Sequence, residues 1–89
     1  MYYAYVAQSI AQNDKFYKGH TEDLHARLKE HNRGTTKSIK HLIPVRIIYY
    51  EGFDSLAKSI ETEKYWKTAA GRRYLRSKLS NGPVVQWIE

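Results

Sequence analysis

The 89-residue chain has no cysteine, two prolines, five glycines and one methionine. The lack of cysteine excludes disulfides and thiolate metal ligands and suits a reducing compartment, so the expected location is cytoplasmic. Long hydrophobic runs are missing as well. No apolar stretch approaches the roughly 20 residues that a membrane helix needs. The opening Met1-Tyr2-Tyr3-Ala4-Tyr5 has neither the charged start nor the apolar core of a signal peptide. A soluble protein without a membrane partner is expected. No internal repeat, low-complexity run or linker appears, and the length suits one domain with a modest core.

Acids are also scarce. Fifteen Lys and Arg against nine Asp and Glu give a net charge of +6 and an isoelectric point near 9.6, a balance that favours a polyanionic partner. The shortage is local: Lys64, Lys67, Arg72, Arg73, Arg76 and Lys78 fall in a stretch with no acid from 64 to 78. Lys37, Lys40 and His41 lie in a second acid-free segment, Gly34 to Ile43, which reads as an exposed basic loop. These positions make nucleic acid the expected partner, DNA first and RNA not excluded.

The chain is built around residues 16–32. Phe16 to Gly19 reads as the end of a strand that runs into a helix, with Thr21 as its N-cap and Glu22 and Asp23 in its first turn. Asn32, Arg33 and Gly34 close it. Before it, Tyr2 to Ala7 alternates as a strand and Gln8 to Asp14 reverses into the second, a hairpin. After it, Pro44 precedes Val45-Arg46-Ile47-Ile48-Tyr49-Tyr50, whose β-branched and aromatic residues predict a third strand covered on both sides. Asp54 or Ser55 caps a second helix with a stripe through Leu56, Ile60, Glu63, Lys67 and Ala70, and Gly71 separates it from a third helix over 72–79. Ser80 to Pro83 is a turn. The apolar tail, residues 81–89, is expected to dock on the domain or on a sheet edge. The class is α+β: a small three-stranded antiparallel sheet flanked by helices, in the order β-β-α-β-α-α.

Two stripes carry polar residues where apolar ones belong. Leu24, Arg27, Leu28 and His31 recur at i, i+3, i+4 and i+7 on the first helix, and Glu63 interrupts the second. A buried guanidinium or carboxylate is costly unless paired or bound to a ligand. Two explanations are open: an Arg27–Glu63 salt bridge tying the helices together, or a site that uses both. His31 also reads as a dipole partner near a helix C-terminus, and Tyr5 and Tyr17 as strand packing.

Lined up in order, these positions resemble the GIY-YIG endonuclease domain. Tyr3-Ala4-Tyr5 is similar to the family's first motif and Tyr17-Lys18-Gly19 to its second, with Tyr3 in place of glycine and Lys18 in place of isoleucine. The family's helix arginine falls on Arg27, and its metal-binding glutamate on Glu63 in Thr62-Glu63-Lys64-Tyr65-Trp66-Lys67. Its late asparagine has no clear counterpart. Within the superfamily the resemblance is to small stand-alone bacterial proteins similar to the nuclease domain of UvrC-type excision-repair enzymes, and it covers about residues 1–79, so that residues 1–80 form the nuclease-like domain.

The resemblance implies a metal-dependent DNA endonuclease of repair or processing that hydrolyses phosphodiester bonds. Glu63 would hold one Mg²⁺ or Mn²⁺ and Arg27 would contact the scissile phosphate. Tyr5 or Tyr17 would move the proton from water, with His20 as relay partner and His31 ranked behind it. Lys37, Lys40, Lys64, Lys67, Arg72, Arg73 and Arg76 would contact nucleic acid. The alternative is a binding module that keeps the fold and cuts nothing, and target specificity would then come from a protein partner, since one small domain offers mainly phosphate contacts.

Overall fold

The computed structural model describes residues 1–80. Three strands, β1 (Tyr2–Ser9), β2 (Phe16–Thr21) and β3 (Val45–Phe53), form one antiparallel sheet in the order β2-β1-β3. The helices are α1 (Leu24–Asn32), α2 (Leu56–Trp66) and α3 (Ala69–Ser80). The expected α+β class and element order are those observed. A short 3-10 helix, Lys37–Leu42, occupies the segment expected to be a loop. Its Ile39 and Leu42 are buried, so two apolar residues anchor it while Lys37 and Lys40 stay exposed. The docking expected of residues 81–89 lies outside the described residues.

Alternation along β1 makes two cores. Tyr5 and Ala7 face one side of the sheet and pack with Leu24 and Leu28 of α1, Ile39, Leu42, Val45 and Ile47. Ala4 and Val6 face the other side and pack with Ile48, Trp66 and Leu75. A register shift between Val6 and Ala7 lets β3 present both Ile48 and Tyr49 to the second core. Burial on both faces explains why Val45 to Tyr50 is apolar in both alternation classes.

Local corrections concern the helix ends. Thr21 does not cap α1. Asp23 does, its carboxylate accepting from the Ala26 amide at 3.0 Å, while Thr21 Oγ1 accepts from the Asp23 amide at 3.2 Å. Both are good cap residues, and the chain uses the second because the strand continues through Thr21. Ser55, not Asp54, caps α2. Gly34 follows the end of α1 at φ 81°, closing it as expected.

The stripe assigned to α2 is rotated. Leu56 is 47% exposed, Ala70 and Lys67 are exposed, and the buried residues are Ser59 and Trp66. The indole of Trp66 supplies most of the apolar payload of that face. Nor does Gly71 separate the two helices. The break comes at Lys67 and Thr68, and Gly71 lies buried inside α3. It allows the α2–α3 corner to close, since a Cβ there would stand 1.8 Å from the Tyr65 carbonyl oxygen.

Candidate active site

β2 is an edge strand, and its C-terminal end is where the polar residues of both sheet faces meet. Residues opposite one another in an antiparallel pair point to the same side, so the register fixes the placement. Tyr5 is opposite Gly19 and Ala7 opposite Tyr17, which puts both phenols on the α1 side. Ala4 is opposite His20 and Val6 opposite Lys18, which puts His20 and Lys18 on the α2–α3 side.

On the α1 side, the Tyr5 hydroxyl is hydrogen-bonded to His31 Nε2 at 2.6 Å, and His31 Nδ1 lies 3.0 Å from Thr36 Oγ1. Neutral imidazole satisfies both bonds if it accepts at Nε2 and donates from Nδ1. Burial, with the Arg27 charge second, holds the His31 pKa down at about 4, so the ring is neutral near pH 7. His31 is therefore a buried hydrogen-bond partner of a phenol rather than only a dipole partner of the helix end. Burial also raises Tyr5 to about 12, and the neighbouring Arg27 guanidinium offsets part of that rise. The Tyr17 ring stands edge-on to His31 with centroids 5.4 Å apart, and 6.4 Å from Tyr5. Gly19 makes room for this arrangement: a Cβ there would lie 2.6 Å from the Tyr5 hydroxyl.

Arg27 closes the cluster. Its Nη1 pairs with Glu30 at 3.3 Å and its guanidinium faces the Tyr5 hydroxyl, while the buried Nε itself has no acceptor in hydrogen-bond geometry. A buried guanidinium N–H without an acceptor costs free energy and is relieved by an anion placed within reach. The Arg27–Glu63 salt bridge is not formed. Arg27 reaches Glu30 one turn along its own helix, and Glu63 is engaged from the other side of the sheet.

Glu63 Oε1 accepts from His20 Nδ1 at 2.5 Å, and Oε2 from Lys67 Nζ at 2.7 Å. Only 15% of its side chain is exposed. Burial works to raise its pKa, but the hydrogen bonds from Lys67 and His20 outweigh it and hold the carboxyl below its ordinary value, ionised at neutral pH. Its charge also opposes ionisation of Tyr5, so the two halves of the site are electrostatically in contact around the end of β2. Among the described residues no three His, Asp or Glu side chains form a metal cluster. Glu63 is a lone carboxylate held between His20 and Lys67.

The bases are divided. Lys37 and Lys40 stand on the α1 side with the 3-10 helix, whereas Lys64, Arg72, Arg73 and Arg76 are exposed on α2 and α3. Lys67 belongs to the Glu63 pair. Arg72 donates to the Lys67 carbonyl at 3.0 Å, which satisfies an end of α2 and holds its guanidinium over that corner.

Two features escaped the sequence reading. Asn32, read only as a helix stop, clamps β3: its Oδ1 accepts from the Val45 amide at 2.7 Å and its Nδ2 donates to the Val45 carbonyl at 3.0 Å. Glu51 Oε2 accepts from both Tyr49, at 2.6 Å, and Tyr74, at 2.7 Å, tying α3 to β3. An amide near a helix end and tyrosines spaced along the chain give no sequence signal that they will meet.

A three-stranded α+β sheet thus gathers phenols, a guanidinium, imidazoles and one carboxylate around the end of its edge strand. The chain belongs to the GIY-YIG family: the sequence model of the GIY-YIG catalytic domain matches residues 1–75. It is 31% identical over 78 residues to the UPF0213 protein YazA of Bacillus subtilis (strain 168), covering 83% of this chain and 79% of that protein. It is 36% identical over 66 residues to a UPF0213 protein of Streptococcus pyogenes serotype M3, covering 73% and 70% respectively. Among the described residues no helix is long and apolar enough to cross a membrane.

Proposed function

We propose that the protein is a metal-dependent endonuclease that hydrolyses phosphodiester bonds of DNA in repair or processing. The observation that carries this reading is the orphaned, buried Nε of Arg27 beside the Tyr5–His31 pair, because a phosphate oxygen is the acceptor that such a donor lacks. Family membership supports it.

Each residue has a role that its surroundings favour. Arg27 orients the scissile phosphate and neutralises charge as the pentacoordinate state forms. Neutral His31 holds the Tyr5 hydroxyl in a hydrogen bond at Nε2 and keeps the phenol oxygen fixed against Gly19. Tyr17 borders the same space. His20, bonded to Glu63, is set to pass a proton to or from the site.

The residues fit a hard divalent cation. Glu63 is ionised and little exposed, and Mg²⁺ or Mn²⁺ would take the place that Lys67 holds at Oε2. Such a cation keeps most of its waters and needs few carboxylates; when bound it would acidify one water and stabilise the leaving oxygen. The basic residues on α2 and α3 would hold the nucleic acid through its phosphates, and target choice would fall to substrate shape or to a protein partner.

The test is a nicking assay on supercoiled, branched and single-stranded DNA with Mg²⁺, Mn²⁺ or EDTA. Wild type is expected to cut only with metal. Glu63→Gln is expected to bind DNA, to melt within about 1 kcal/mol of wild type because its lost partners are partly exposed, and to cut nothing. A wild type that binds but never cuts would favour the non-cleaving module, for which the pairing of both Glu63 oxygens with His20 and Lys67 is the favouring observation.

A further inference from the structure

A groove of about 190 Å³ opens between β2 and α3, beside the site rather than in it. Val6, Leu75 and Leu79 form its floor, Phe16 stands at one wall, and Lys18 and Arg72 stand at its rim. Phe16 is 45% exposed and, among the described residues, belongs to neither core.

The groove is continuous with the site. Lys18 and His20 lie two residues apart on the same side of β2, about 7 Å along the strand. The Lys18 ammonium is held below its ordinary pKa first by burial and then by the charges of Arg72 and Lys67, and Lys67 is the partner of Glu63. Cations crowded in this way favour an anion between them. A surface combining an exposed aromatic ring, an apolar slot and a cationic rim matches a nucleotide: base on the ring and phosphates on the rim.

We propose that this groove takes an unpaired nucleobase of a single-stranded nucleic acid segment, stacked on Phe16 over Leu75 and Leu79, with its flanking phosphates on Lys18 and Arg72. The inference rests on the nuclease reading for its place in a reaction, since it sets the base beside the bond presented to Arg27 and Glu63. A base in an intact duplex is stacked on its neighbours and cannot enter without leaving them. The substrate therefore carries an unpaired nucleotide next to the cut, as in a flap, a bubble or a single strand.

The experiment measures fluorescence anisotropy of the full chain in EDTA with three probes at one salt concentration: a single-stranded DNA oligonucleotide, its RNA counterpart and a blunt DNA duplex of equal length. Wild type is expected to bind a single strand at least about tenfold more tightly than duplex. Phe16→Ala should weaken single-strand binding by about 5- to 160-fold, the range of stacking on one aromatic ring, and leave duplex binding unchanged. Phe16→Trp should restore it. Tighter binding of the DNA or of the RNA strand identifies which source supplies the base.

Equal affinity for single strand and duplex, or a Phe16→Ala variant that binds like wild type, overturns the proposal. So does a Phe16→Ala variant with unchanged binding and altered tryptophan emission, which would assign the groove to the chain's own apolar stretch from Val84 to Ile88. Because metal is absent, the groove and the chemistry are judged separately. A single-strand preference lost in Phe16→Ala sustains the groove even if no metal supports cutting, and cutting without that preference refutes the groove alone.

Discussion

Tyr5 and His31, 26 positions apart, share a hydrogen bond of 2.6 Å in which both side chains are withdrawn from solvent. The bond joins the central strand to the first helix and fixes a phenol oxygen against the Gly19 backbone. Its partners are both shifted towards their neutral forms, His31 downwards and Tyr5 upwards. A neutral pair of this kind survives burial, whereas an imidazolium–phenolate pair would pay for two desolvated charges.

Tyr5→Phe is expected to slow nicking strongly and to destabilise by about 1–3 kcal/mol, because His31 Nε2 becomes a buried acceptor with no donor. Tyr17→Phe should slow nicking with little change in stability, since the half-buried ring is kept and only its hydroxyl is lost. Urea melts and nicking rates of both variants check this pair. Rates equal to wild type in both would rule out phenol chemistry.

Stability should fall with acid through His31. Its folded pKa, about 4, is below its unfolded value of 6.5, so the unfolded chain takes up the proton first as pH drops. The contribution is complete above about pH 6.5 and is lost progressively down to about pH 4. At pH 5 the loss is about 2 kcal/mol. Glu63, whose folded pKa is also lowered, adds a further loss below its ordinary carboxylate value. Urea midpoints at pH 7.5 and pH 5 measure it, and an unchanged midpoint would contradict a neutral, buried His31.

Gly19→Ala should cost about 1–3 kcal/mol and reduce nicking together with it. The new methyl meets the Tyr5 hydroxyl at 2.6 Å, and that hydroxyl cannot swing aside without giving up His31. The double variant Gly19→Ala with Tyr5→Phe should be less destabilised than the sum of the two, as expected for residues in contact. Strict additivity in a double-mutant cycle would show that the contact carries no energy.

Asn32→Ala should destabilise by about 2–3 kcal/mol, since it removes both side-chain bonds that hold the Val45 backbone and leaves a part-buried amide and carbonyl unpaired. Nicking by the folded fraction should be unchanged, because the Asn32 side chain bonds the Val45 backbone and none of the proposed site side chains. A combined urea melt and activity titration separates the two effects.

The sequence by itself determined the strands and α-helices and their order, because strand alternation and helical stripes are local properties repeated over many positions. It also marked Arg27, His31 and Glu63 as polar intruders on helical stripes, while the resemblance to the GIY-YIG domain singled out Tyr5 and Tyr17, with His20 as their relay partner. Which of them pair was decided only by the tertiary structure. The strand register put Tyr5 and Tyr17 on one side of the sheet and His20 on the other, so Glu63 met His20 across the fold, while its bond to Lys67 and that of Arg27 to Glu30 are pairs along one helix. The same holds for the face of α2. Leu56 has the right period but points outwards, because the helix is turned to bury Trp66, the larger apolar group, against the sheet. Periodicity fixes the spacing of a stripe, and packing against the rest of the molecule fixes which stripe is inside.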